Sequence, residues 1–158
     1  MEKTIFHHMD TVRGITEQTI QRIGEQIADV VPDGFNNNIR WNLGHIPVVQ
    51  EALVFGTLGE KQALPEAFSE YFRPGSKPAD WTSEPPTLEE IATVLSNQKL
   101  RIREALQGRL EETLPKPFTL PAGITFQTVS ETLLFSCVHE GFHIEAIKRI
   151  YRFAKRQK

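Results

Sequence analysis

Apolar residues along this chain recur at helical spacing in four segments separated by proline-, glycine- and asparagine-rich breaks. From Asp10 to Val31, the positions Val12, Ile15, Ile20, Ile23, Ile27 and Val30 predict a long amphipathic helix, closed by Pro32-Asp33-Gly34. A second pattern starts at Asn36-Asn37-Asn38, any of which can serve as N-cap. It runs through Trp41, His45, Val49 and Ala52 to about Thr57. Pro47 lies inside it and removes the bond to the Leu43 carbonyl, so a kink or an irregular first half is expected close to His45.

Two capping boxes open the remaining helices. Thr87 with Glu90 starts a third helix through Ile91, Val94, Leu95, Ile102, Ala105 and Leu106, stopping at Gly108. Thr128 with Glu131 starts a fourth that runs nearly to the C-terminus. Between the second and third helices, Leu58 to Pro86 holds at most a short helical piece over 64–72. A connection this long either covers a functional site or spans the length of the domain. Pro115 to Phe126 reads as extended or loop-like. Four amphipathic segments without convincing alternating strands predict an all-α, four-helix bundle, with residues 1–158 as one domain.

A bundle places ligand sites between facing helices, and the histidines fall where such a site would lie. With about 100° per residue and His139 at zero, His143 sits at about 40°, Phe135 at about -40°, Ala146 at about -20° and Ile150 at about 20°. The charged residues Glu145, Lys148, Arg152 and Lys155 gather on the far side, so both imidazoles are expected to face the core from the middle of an apolar stripe. In the second helix, His45 shares a face with Trp41, Val49 and Ala52. One inward histidine is an ordinary hydrogen-bonded core residue. Three on two helices that can oppose each other point to a metal, because neutral imidazole suits zinc, nickel, copper or iron. His7 and His8 precede the first predicted helix and read as exposed residues, and Cys137 lies about 200° from His139 and reads as packing.

The stretch from His139 to His143 also spells H-E-x-x-H, a zinc-peptidase signature. Such a peptidase takes its third ligand from further along the chain. Only fifteen residues follow His143, and their one carboxylate, Glu145, points about 160° from the histidines. His45 fills the vacancy better. Glu140 loses its automatic role as general base: at the edge of the metal face it can orient a ligand, act as a base, pair across a subunit interface, or rest in solvent or a salt bridge.

The charge of -2, from 18 basic and 20 acidic residues, gives no large field of one sign and argues against nucleic acid as a partner. A single cysteine permits no intrachain disulfide. The absence of a signal-like start or a membrane-length apolar run gives the expectation of a soluble, cytoplasmic protein without a membrane partner.

Trp41-Asn42-Leu43-Gly44-His45 followed by His139-x-x-x-His143 resembles the DinB-like superfamily, and the likeness spans the whole chain. The resemblance implies an up-up-down-down bundle, usually dimeric, with one divalent ion on His45, His139 and His143. Relatives often carry a basic residue and glycine after the last histidine, where this chain has Ile144-Glu145. Family members include S-transferases and isomerases that use bacillithiol, mycothiol or glutathione, and other members resemble metal-dependent hydrolases. The expected function is a thiol-dependent S-transferase acting on a small electrophile, with zinc or nickel at the histidines and Trp41, Val49 and Phe135 as apolar walls. The alternatives are a hydrolase that activates water, with Glu140 as base, and a non-catalytic metal-binding stress-response protein.

Overall fold

The computed structural model describes residues 1–156. Six α-helices carry most of the chain: α1 (Glu2–Gln21), α2 (Glu25–Ala28), α3 (Ile39–Glu51), α4 (Glu66–Phe72), α5 (Leu88–Leu106) and α6 (Val129–Arg156). A π-helical turn, Ala52–Gly56, extends α3. The antiparallel strands β1 (Thr113–Thr119) and β2 (Thr125–Thr128) join α5 to α6. The fold is therefore mostly helical, with a small sheet added.

The local signals act where they were expected. Asn38 caps α3 by accepting from the Trp41 amide at 2.7 Å. Thr87 and Glu90 bond reciprocally at the start of α5, and Glu131 accepts from the Thr128 amide at 2.9 Å at the start of α6. Pro47 is accommodated without interrupting α3. The irregularity comes after it, in the π-helical turn, rather than before it beside His45.

Other expectations are corrected. The first helix begins at Glu2 and ends at Gln21, so His7 and His8 are exposed residues within α1 rather than ahead of it. Its buried side is Phe6, Met9, Arg13, Thr16 and Ile20, while Ile15 is 44 % exposed. The hairpin was not expected as strands. Pro115 and Pro117 hide the alternation of β1, and they are tolerated because both strands of a two-stranded sheet are edges. In α6, the buried residues Ser136, Ile147, Leu133 and Ile144 lie at about 60°, 80°, 120° and 140° on the wheel that puts His139 at zero. Glu140, at about 100°, is near the centre of the buried arc, which extends from Thr132 and Ile150 at about 20° to Cys137 at about 160°; His139 stands just outside its rim and His143 just inside it.

A charge occupies the middle of a buried face because Arg13 of α1 meets it. The guanidinium donates through Nε to Glu140 Oε1 at 2.9 Å and through Nη2 to Glu140 Oε2 at 3.1 Å. It also donates to Gln50 Oε1 of α3 at 2.6 Å and to the Leu95 carbonyl of α5 at 2.5 Å. Thr16 donates to Glu140 Oε1 at 2.5 Å, and Gln50 donates to Ser136 at 3.0 Å. One side chain is thus bonded to all three other long helices. The apolar core divides around it: Ile46, Phe72, Leu95 and Ile147 belong to one cluster, and Met9, Val54, Ile102 and Leu133 to the other.

Removing one member of such a pair leaves an uncompensated buried charge, at about 3–5 kcal/mol, whereas replacing both with apolar groups is often nearly neutral. Arg13→Ala should lower the urea midpoint accordingly. The Arg13→Met/Glu140→Leu double variant should recover most of the loss.

Candidate metal centre

His45, near the middle of α3, and His139 and His143, one turn apart on α6, come together although 94 residues separate the first two. One ligand nitrogen from each ring lies within 4.8 Å of the others. The ring centroids stand 5.3 Å apart for His45 and His139, 4.9 Å for His45 and His143, and 4.5 Å for His139 and His143. His45 is buried; His139 and His143 are partly exposed, so solvent reaches the cluster from the α6 side.

Hydrogen bonds fix which nitrogens face one another. A carbonyl only accepts, so the 2.6 Å contact between His45 Nδ1 and the Phe72 carbonyl places the proton on Nδ1 and leaves the Nε2 lone pair free. Asn42 performs the same service for His143. Its Nδ2 donates to the Asn38 carbonyl at 2.7 Å, which turns Oδ1 to accept from His143 Nδ1 at 2.8 Å. His143 Nε2 then faces His139 Nε2 at 3.2 Å. Two nitrogens bound to one ion at about 2.0–2.1 Å are at most about 4 Å apart, so small ring rotations fit these three to a zinc-sized ion. Orientation of ligating imidazoles by carbonyl groups is the usual supporting arrangement of such sites.

The crossover supplies part of this arrangement. Phe72 ends α4, and its ring lies where a β-carbon at position 44 would stand, so Gly44 is what lets α4 come close enough for the Phe72 carbonyl to reach His45. Trp41 stacks on His45 with centroids 4.4 Å apart and donates through Nε1 to Ser76 Oγ at 2.9 Å. The segment 58–86 therefore both crosses the domain and closes one side of the site.

The remaining candidates fall into place around the cluster. Val49 is half-buried one turn beyond His45, and Phe135, one turn before His139, packs on Phe126 of the hairpin at 5.0 Å. Glu140 is next to His139 in sequence but turned into the Arg13 pair, with both carboxylate oxygens engaged. Burial and the Glu140 charge push the Cys137 thiol up to about 12, in keeping with a packing residue. Asn42, Gly44 and Arg13 were not singled out from sequence. Arg13 had a visible signal, a charge in the 6, 9, 13, 16, 20 series of α1.

A family model described as the DinB superfamily matches residues 8–147. No curated protein matches the chain. Among solved structures, the crystal structure of a conserved protein from Enterococcus faecalis is similar over 98 % of this chain and 96 % of that one, with a TM-score of 0.63 and 14 % identity. At that identity the likeness concerns the fold.

Burial, reinforced by the neighbouring imidazoles, pushes His139 down to about 4 and His143 to about 3, and burial also lowers His45. Unfolded histidines titrate near 6.5, so on acidification the unfolded chain takes up protons before the folded one. The metal-free protein should lose stability as pH falls below about 6.5 and continue losing it to about 4. Melting temperatures recorded in chelator from pH 7.5 to 4.5 should decline, and decline less steeply in His143→Gln.

Proposed function

The chain belongs to the DinB superfamily, and we propose that it is a divalent-metal enzyme transferring a low-molecular-weight thiol to a small electrophile. The observation that carries this reading is the convergence of three imidazoles, two of them with Nδ1 protons held away from the cluster by Phe72 and Asn42. His45, His139 and His143 would hold the ion, with zinc or nickel suited to an all-imidazole set. When bound, such an ion acts as a Lewis acid and favours the thiolate form of a thiol that reaches it.

Glu140 supports transfer over hydrolysis in this reading. Its carboxylate is committed to Arg13 and Thr16, so it acts as a positioning residue that sets the rotation of α6. A thiolate nucleophile needs no further base. Trp41, Val49 and Phe135 provide apolar surface for the electrophile on either side of the imidazoles. The same reading takes 1–158 as one up-up-down-down bundle that works as a cytoplasmic homodimer. Among the described residues, no helix is long and apolar enough to cross a membrane.

Protein purified without a histidine tag should contain close to one transition-metal ion per chain, and chelation should lower its melting temperature, as for any ligand bound only by the folded state. Asn42→Leu should weaken metal binding by about 10–100-fold. Metal-loaded protein given a panel of thiols and a chromogenic electrophile should turn over thiol-dependently. Turnover no higher than in His45→Ala would exclude transfer.

A further inference from the structure

On the wheel that puts His139 at zero, the buried arc of α6 is centred near 90°, so the helix points outward near 270°. Polar side chains belong there. Instead, Leu134, Val138 and Phe142 lie at about 220°, 260° and 300°, one per turn, and they are 36 %, 46 % and 66 % exposed. Neither neighbouring helix covers them: α1 meets α6 through Glu140, and α3 meets it through His143, both away from this face. Large apolar side chains exposed on three successive turns mark an interaction surface.

The charges at the two ends of the stripe decide what it fits. Glu131 precedes Leu134, Arg149 follows Phe142, and both stand at about 280° on the same wheel. Both are exposed, and neither forms a salt bridge among the described residues. Glu131 gives Oε2 to the amides of Gln127 and Thr128, and these bonds hold its carboxyl below the ordinary range. The stripe therefore reads as an acid, three apolar turns and a base, with its midpoint level with residue 140.

Such an order is complementary to itself. A two-fold axis in the contact plane, perpendicular to α6 at that level, reverses the helix and keeps each side chain on its own side of the seam. Positions equidistant from residue 140 then meet. Glu131 of each copy faces Arg149 of the other, and Val138 of each faces Phe142 of the other, as an isologous contact requires. A parallel pairing would instead set Glu131 against Glu131 and Arg149 against Arg149.

We propose that this face of α6 docks on α6 of a second copy of the chain, antiparallel, about a two-fold axis level with residue 140. The proposal rests on the homodimer reading and assigns its interface; the metal and transfer readings are independent of it. The helices overlap from Val129 to Tyr151, about 33 Å at 1.5 Å per residue.

Sedimentation velocity of the full chain over a concentration series, in chelator to keep the metal out of the outcome, tests the assignment. The unmodified chain should show a monomer–dimer equilibrium, and Phe142→Ser should weaken it by about tenfold or more, as truncation of a central aromatic does. Glu131→Lys and Arg149→Glu should each dimerise about tenfold more weakly, because each sets like charges together at both ends of the seam. Mixed in equal amounts, these two variants should recover the dimer, since every end then pairs opposite charges. A chain that stays monomeric throughout overturns the proposal and the homodimer reading together. A dimer that Phe142→Ser and Arg149→Glu leave unchanged overturns the seam and spares the homodimer. A mixture no tighter than either charge variant alone overturns the antiparallel pairing. Glu131 also caps α6, so circular dichroism and melting temperature establish that the variants fold, and Phe142→Ser tests the seam without touching the cap.

Discussion

The pairing of Arg13 with Glu140 is the constraint on which the rest of the structure depends. A guanidinium and a carboxylate are expensive to bury, and they persist in the interior only where geometry and additional hydrogen bonds satisfy them. Here α3 and α5 contribute Gln50 and the Leu95 carbonyl to the same guanidinium, so the relative rotation and height of all four long helices are specified at one point. Apolar contacts alone tolerate sliding and repacking; a forked cation with assigned acceptors does not. The two apolar clusters fill the space on either side of that fixed level.

The position of the histidines follows from it. With Glu140 turned to the centre of the buried arc of α6, His139 and His143 come to the rim, opposite His45 and open to solvent on one side. Had the histidines faced the middle of the core, as the simplest wheel suggests, they would have been sealed from any substrate. A buried ion pair partner and a partly exposed pair of imidazoles thus sit side by side along a single turn of helix. The H-E-x-x-H spelling is retained with its glutamate serving the fold.

The parts of the molecule that were legible in the sequence are those set by chemistry within a few residues. The capping boxes at Thr87 and Thr128, a cap within Asn36–Asn38 that the structure assigns to Asn38, and the one-turn spacing of His139 and His143 are of this kind. The three-histidine grouping was legible too, because imidazoles on apolar faces call for a partner. The rotation of α6 was not. Arg13 stands in the inward-facing series of α1, but Glu140 reads equally well as a charge at the helix edge until Arg13 is known to meet it, and the two are 127 positions apart. The hairpin escaped for a different reason: Pro115 and Pro117 are poor ladder residues, and the register is irregular between Thr113 and Phe118. Asn42 and Gly44 were in view as part of a motif, but their work depends on α4 and α6, which no local pattern describes.

The acceptor that orients His45 is a main-chain carbonyl, and this changes how the site can drift over evolutionary time. Replacing the side chain at position 72 cannot delete that acceptor; it can only move it. The orientation of His45 is therefore indifferent to the chemical identity of its partner and sensitive to the path of the chain that presents it. Insertions and deletions between Leu58 and Pro86, ordinarily the best-tolerated changes in a protein, are the ones that would shift an imidazole in this one.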